Sequence, residues 1–77
     1  MGENLKVSRY TFMTALTWYE EKYNECDWIF GKTTAVIDKK KNKKIAIRLE
    51  TPTEYYLICE EFENSPFVKD NNYDLQN

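Results

Sequence analysis

The stretch 33–50, TTAVIDKKKNKKIAIRLE, constrains the fold most strongly, because it has the pattern of a β-hairpin. After its lysine-rich centre, apolar side chains occupy alternate positions at Ile45, Ile47 and Leu49, which is the period of a half-buried strand. The run 35–37 before the centre is short, apolar and partly β-branched, which also favours a strand. The sequence therefore predicts two antiparallel strands joined by a turn that carries lysines.

Two registers of this hairpin are compatible with the pattern. In the first, Lys41-Asn42 is a two-residue turn and Val36 faces Ile47. In the second, a three-residue loop over 40–42 holds Asn42 in the left-handed conformation, which asparagine tolerates well. We favour the second register, because it makes one face of the hairpin apolar along most of its length. It pairs Ile37 with Ile45, Ala35 with Ile47, Thr33 with Leu49 and Asp38 with Lys44.

A first helix is predicted before the hairpin. It starts after Ser8, a residue type that caps helix N-termini, and ends near residues 24–26. Its apolar stripe recurs at spacings of three and four residues. The stripe consists of Phe12, Ala15, Leu16, Tyr19 and Tyr23. The following run 28–30 fits either a separate short strand or the start of one long strand bent at Gly31.

A second helix is predicted over residues 51–64. Thr51 suits the cap position, Pro52 the first helical position and Glu54 the third, which is the pattern of a capping box. Apolar residues then recur with helical spacing at Tyr55, Ile58, Cys59 and Phe62. The run 55–58 also has high β-propensity, but we expect the capping signal and the helical period to outweigh it.

These elements predict an α+β fold of order α-β-β-(β)-α, with a small antiparallel hairpin sheet and two helices packed on one face. The 77 residues are divided into a flexible N-terminus over 1–7, a single α+β domain over 8–68 and a flexible acidic tail over 69–77. The predicted core consists of Phe12, Leu16, Tyr19, Ile37, Ile45, Ile47, Ile58 and Phe62.

The composition argues against catalysis. The chain has no histidine, the commonest general base and neutral metal ligand, and its two glycines cannot form a glycine-rich phosphate loop. Cys26 lies between Glu25 and Asp27, whose charges disfavour a reactive thiolate. We therefore expect no enzymatic activity, no catalytic residue, no cofactor and no metal.

The cellular setting is also predicted from the sequence. Cys26 and Cys59 are expected to be reduced thiols, and the first ten residues lack an apolar signal segment. The chain also lacks the run of about 18 apolar residues that a membrane span needs. These features predict a cytoplasmic protein that does not bind membranes.

Charge is distributed unevenly along the chain. Residues 1–49 hold ten basic and six acidic side chains, whereas residues 50–77 hold one basic and seven acidic ones. The densest basic cluster consists of Lys39, Lys40, Lys41, Lys43 and Lys44. This cluster favours either contact with nucleic-acid phosphates or a soluble hairpin tip that discourages edge pairing. Since no aromatic residue for base stacking lies between positions 31 and 50, nucleic-acid binding is the alternative function rather than the preferred one.

Protein contact is the preferred function. Trp18 lies on the flank of the first predicted helix, and Leu57 points away from the apolar stripe of the second, so both are candidate interface anchors. Glu60 and Glu61 add an acidic surface to the same helix. We expect a small non-enzymatic regulator or inhibitor that binds a protein partner or forms a homodimer. Its size and acidity are typical of phage or mobile-element accessory proteins.

Overall fold

The computed structural model of the protein describes residues 3–69. Five strands form one antiparallel sheet, in the spatial order β1-β5-β4-β3-β2. The elements in chain order are β1 (Asn4–Val7), α1 (Arg9–Lys22), β2 (Cys26–Ile29), β3 (Thr33–Asp38), β4 (Lys43–Glu50), β5 (Thr53–Ile58), α2 (Cys59–Phe62) and α3 (Pro66–Lys69). The predicted α+β class with an antiparallel sheet is confirmed, but the predicted element order α-β-β-(β)-α is not, because the sheet has five strands and one of them precedes the first helix.

The first helix forms as predicted. Ser8 has an extended backbone conformation, and its side-chain oxygen accepts a hydrogen bond from the Thr11 amide at 3.1 Å. Such a cap satisfies one of the amides that a helix N-terminus leaves without a partner. The apolar stripe at Phe12, Leu16 and Tyr19 is buried. These residues pack α1 onto one face of the sheet, which we call the inner face.

The inner face forms the hydrophobic core together with the helices. One row of paired residues crosses all five strands and consists of Leu5, Leu57, Ala46, Val36 and Trp28. The Phe12 ring of α1 packs on this face, with ring-centroid distances of 5.0 Å to Tyr55 of β5 and 5.9 Å to Trp28 of β2. The Phe62 ring of α2 lies 5.5 Å from Tyr19, so the short C-terminal helices extend the same layer.

The predicted second helix over 51–64 is wrong in its first half. Thr51 and Pro52 form the turn between β4 and β5, and the Thr53–Ile58 segment is a strand. Threonine and proline are favoured in turns as well as at helix starts, so the capping pattern did not distinguish the two. The strand has hydrogen-bonded neighbours on both sides, β1 and β4. This pairing stabilises the strand conformation, which the β-favouring residues 55–58 also prefer, over the helix that the apolar spacing predicted.

The N-terminal range 1–7, predicted to be flexible, contains strand β1. Its Asn-Leu-Lys-Val sequence alternates polar and apolar residues, which is a strand signal in its own right. Leu5 pairs with Leu57 and Val7 with Tyr55. Val7 is buried, so β1 belongs to the core layer. Residues 70–77, most of the predicted acidic tail, lie outside the described residues.

The hairpin of β3 and β4 forms, and the predicted pairing holds in the half that lies farther from the turn. The turn occupies residues 39–42, one residue longer than predicted, and Asn42 has the expected left-handed conformation with φ of 54°. The confirmed pairs are Thr33 with Leu49 and Ala35 with Ile47.

After Val36 a register shift changes the pairing, so the predicted pairs nearer the turn are wrong. Ile37 faces Lys44 and Asp38 faces Lys43, instead of the predicted Ile45 and Lys44. The extra residue of this bulge is Ile45, which is fully buried on the inner face. Two other predicted core residues of the hairpin, Ile37 and Ile47, are only half-buried, because strand alternation places them on the opposite face.

Candidate interaction surfaces

The second face of the sheet, which we call the outer face, is rich in apolar side chains. Its apolar members are Ile29, Ala35, Ile37, Ile47, Leu49, Tyr56 and Ile58. A paired row of four runs across neighbouring strands and consists of Tyr56, Ile47, Ala35 and Ile29. None of the seven belongs to the buried core, and Ile29 at the β2 edge is 51% exposed. The sequence signal for this face was the presence of consecutive apolar residues in β3 and β4, because consecutive residues of a strand point to opposite faces of the sheet.

Charged side chains surround the apolar row of the outer face. At its β1 edge, the Lys6 ammonium lies 3.1 Å from Glu54, which also accepts a 2.6 Å hydrogen bond from the Tyr56 hydroxyl. Hydrogen bonds from Tyr56 and then Lys6 lower the pKa of Glu54. Lys44 is exposed on the same face and makes no ion pair with another side chain of residues 3–69.

Asp38 connects the lysine-rich turn to the end of α1. Its side chain is fully buried and accepts hydrogen bonds from the Tyr19 hydroxyl at 2.7 Å and the Asn24 amide at 2.9 Å. The backbone amides of Lys40 and Lys41 donate to its other oxygen at 2.9 and 3.0 Å. A carboxylate at the start of a turn commonly holds the following amides in this way.

The ionisation of this network follows from its geometry. Burial opposes the charge on Asp38, but the four donors outweigh it and lower its pKa to about 2. Burial, and then the hydrogen bond to Asp38, raise the pKa of the Tyr19 hydroxyl. At ordinary pH the Asp38 carboxylate therefore stays charged and the Tyr19 phenol stays neutral. The hydrogen bond between them requires these states, because the phenol must keep its proton to donate it and the carboxylate must accept it.

The structure places the predicted lysine cluster next to α1 and α2. Two of its five members pair with carboxylates: Lys43 lies 2.9 Å from Glu61 and Lys39 lies 3.8 Å from Glu25. Lys41 lies over an aromatic ring, with 5.4 Å between its ammonium and the Tyr23 centroid. Two of the five positive charges are therefore offset by carboxylates, and the cluster has an aromatic neighbour.

The predicted protein-interface residues have separate environments. Leu57, predicted to be exposed, is fully buried, because on a strand it shares the inner face with Tyr55. Trp18 is half-buried and contacts the rings of Phe62 and Phe67 at 6.0 and 6.2 Å. Of the predicted acidic pair, Glu60 is exposed and Glu61 is only 7% exposed in its ion pair with Lys43. The structure does not bring these four residues together into one surface.

An open depression of about 380 Å³ lies at the turn between β4 and β5. Its charged lining residues are Arg48 and Glu50, whose side chains lie 3.5 Å apart. Arg48 also donates to the Thr34 hydroxyl at 3.1 Å, while its buried Nε has no partner among the described residues. One terminal nitrogen of the guanidinium, Nη2, thus contacts both the Thr34 hydroxyl and the Glu50 carboxylate.

Both cysteines are free thiols in inert surroundings. Burial raises the pKa of Cys26 to about 12, with further contributions from Glu20, Asp38 and Glu25. Burial also raises the pKa of Cys59, together with the charge of Glu3. Neither sulfur has the lowered pKa of a nucleophile.

The described part of the chain, residues 3–69, contains no group of three or more potential metal ligands. Over the same residues, the longest apolar helical stretch falls short of what crossing a membrane requires.

Together these features define a small α+β domain in which the helices of residues 3–69 cover one face of the sheet and leave the other without a helix. The chain matches no protein-family model, no curated protein and no solved structure with significance.

Proposed function

We propose that the protein is a non-enzymatic protein-interaction module whose contact surface is the outer face of the sheet. The observation that carries this proposal is the apolar row of Tyr56, Ile47, Ala35 and Ile29, which crosses four neighbouring strands outside the core. Contiguous exposed apolar surface with a polar rim is typical of interaction sites in soluble proteins. A rigid sheet also binds at low cost in conformational entropy.

The charges of this face specify the chemistry of the partner. Lys6 and Glu54 neutralise each other, whereas Lys44 has no carboxylate partner within residues 3–69. Covering Lys44 with apolar surface alone would be costly, because a buried charge needs a counter-charge. The partner is therefore a protein with aliphatic or aromatic side chains at the centre of its contact surface and a carboxylate opposite Lys44. By occupying that surface, the module acts as a regulator or inhibitor of its partner.

The test combines partner isolation with a quantitative measurement. The partner is captured from the native host, purified, and titrated against wild-type protein and an Ile47→Thr variant by calorimetry. Ile47→Thr keeps a β-branched side chain on the strand, and we expect it to weaken binding at least about 10-fold, as loss of an interface anchor does. Lys44→Glu should weaken binding as well, because it places two carboxylates opposite each other.

The matched control is Met13→Thr on α1, a side chain that is 47% exposed in the other layer of the molecule. Its affinity should equal that of the wild type. A purified partner that binds Ile47→Thr as tightly as wild type, or that loses affinity only with Met13→Thr, would overturn the assignment to the outer face. Sedimentation of the chain alone forms the parallel arm, in which dimers that dissociate on Ile47→Thr identify the partner as a second copy.

A further inference from the structure

We propose that the lysine-rich turn and the end of α1 form a separate binding site for single-stranded nucleic acid, with Tyr23 as the platform on which a base stacks. The site shares no residue with the outer face. It consists of Lys22 and Tyr23 at the end of α1 and Lys40 and Lys41 in the turn 39–42. The sequence places these two pairs 17 or more positions apart, and only the folded chain brings them together.

Two lysine ammonium groups lie near the aromatic ring of Tyr23. The Lys22 ammonium is 5.9 Å and the Lys41 ammonium 5.4 Å from its centroid, and the residue is 41% exposed. The Trp18 ring meets Tyr23 edge-on at 5.8 Å, and the Tyr19 ring lies 4.9 Å from it. An exposed ring with flanking lysines is the combination by which sequence-tolerant proteins bind single strands, since every base can stack and every nucleotide carries a phosphate.

Three lysines are available for phosphates. Lys40 makes no ion pair within the described range 3–69, and Lys22 and Lys41 interact with rings rather than with carboxylates. Lys43 is held by Glu61, whose hydrogen bond and charge raise the pKa of the lysine, so we leave it out of the site. The Lys39–Glu25 contact is exposed and long, so it adds little order to the turn.

The turn is fixed before any ligand binds. Asp38 binds the amides of Lys40 and Lys41 on one side and the side chains of Tyr19 and Asn24 on the other. The Lys39 amide also donates to the Glu25 carbonyl at 3.1 Å, which joins the turn to the loop after α1. Because these bonds hold the lysines beside Tyr23, binding costs less ordering than it would with a free loop.

The ring favours a single strand over a duplex. Bases of a duplex are stacked on one another, and their faces are not accessible to a side chain from outside. An acidic peptide would satisfy the lysines but would gain little from the ring. The proposal therefore predicts a specific order of affinities, with single-stranded oligonucleotides above both duplex DNA and polyglutamate.

The experiment measures fluorescence anisotropy of labelled ten-nucleotide dT and rU strands titrated with the full chain at several salt concentrations. Three phosphate contacts should give a slope of log K against log salt of about −2 for a single strand. Tyr23→Leu should weaken binding about 10-fold through loss of stacking, whereas Tyr23→Phe should retain it. Lys40→Ala should reduce the magnitude of the salt slope by about 0.7.

Matched controls lie elsewhere on the same chain. Tyr10→Leu removes a tyrosine that is 62% exposed at the other end of α1, and Lys6→Ala removes a lysine at the β1 edge. Both should bind like the wild type. Urea unfolding of each variant identifies any loss of folding, and Lys40→Ala, on an exposed turn, tests the site independently of Tyr23.

Four results would overturn the proposal. They are no binding to either strand at low salt, tighter binding to a ten-base-pair duplex, equal binding to polyglutamate, and equal effects of the site variants and the controls. None of these results concerns the outer face. If nucleic-acid binding fails, the protein-interaction proposal is therefore still decided by the Ile47→Thr experiment.

Discussion

Asp38 illustrates how one residue decides a local structure. Its carboxylate is buried, yet four donors from three parts of the chain bind it. A buried charge is stable only when its hydrogen-bonding capacity is used in this way. The sequence predicts a strand position for Asp38, paired with Lys44, and the donors Tyr19 and Asn24 become its neighbours only through folding.

Replacing Asp38 with Asn should destabilise the protein by about 2 kcal/mol, because one of the two oxygens becomes a donor that faces other donors. Urea unfolding followed by tryptophan fluorescence measures the change. Asp27→Asn on the exposed face of β2 is the matched control and should stay within about 0.5 kcal/mol of the wild type. Equal effects of the two substitutions would contradict the role assigned to the Asp38 network.

Acid should remove the contribution of Asp38. Its pKa is about 2 in the folded chain against an ordinary value of 3.8, so the unfolded state binds the proton first as the pH falls. The stability that Asp38 provides is present above pH 3.8 and is lost between pH 3.8 and about 2. The difference in urea midpoint between wild type and Asp38→Asn should therefore be full at pH 6 and decline through this window. A difference that stays constant down to pH 2 would contradict the lowered pKa.

At the scale of elements, β5 shows tertiary structure overriding a local signal. The segment contains both a helix-start pattern and a run of β-favouring residues. As a strand it bonds to β1 and β4 at once and buries Leu57 in the centre of the sheet. A helix in its place would leave β1 without a neighbour.

Two alanine substitutions distinguish the strand from the helix. Leu57→Ala should cost about 2–5 kcal/mol, because a fully buried leucine leaves a cavity in the core. Ile58→Ala should cost less, because Ile58 is half-buried on the outer face. The predicted helix requires the opposite order, with Ile58 in the core and Leu57 exposed. Denaturant unfolding of both variants decides between them.

At the scale of the whole molecule, the helices within residues 3–69 cover only one face of the five-stranded sheet. The described chain has one long helix and two four-residue helices, and their aromatic contacts place all three on the inner face. The outer face is left with aliphatic residues of β2, β3, β4 and β5. This one-sided arrangement is the reason for assigning the binding surface to the sheet.

An apolar dye should report this partly exposed apolar surface. We expect anilinonaphthalene sulfonate to bind the native protein and the double variant Ile47→Thr/Leu49→Thr to reduce that fluorescence, because the dye binds accessible apolar surface. The denaturant m-value should remain unchanged, since the fold and the surface exposed on unfolding are retained. A double variant that binds the dye as strongly as wild type would locate the accessible apolar surface elsewhere, for example at Met13 on α1.

The sequence by itself determined the features that depend on neighbours along the chain. The Ser8 cap and the spacing of Phe12, Leu16 and Tyr19 specified α1, because a helix is built from contacts three and four residues apart. Alternation around a lysine-rich turn specified the hairpin and the left-handed Asn42. The interface anchor Leu57 was predicted wrongly, because its orientation depended on whether its segment was a helix or a strand.

Tertiary structure alone decided the features that depend on pairing between distant segments. The bulge at Ile45 turns that residue inward while Ile47 stays on the outer face, and no local pattern separates these two isoleucines. Strand β5 formed because β1 and β4 supplied hydrogen-bond partners on both sides. Tyr23 lies beside Lys41 because Asp38 joins the turn to the end of α1. In each case the deciding free energy comes from contacts between residues that are far apart in sequence. Patterns among neighbouring residues carry no information about such contacts.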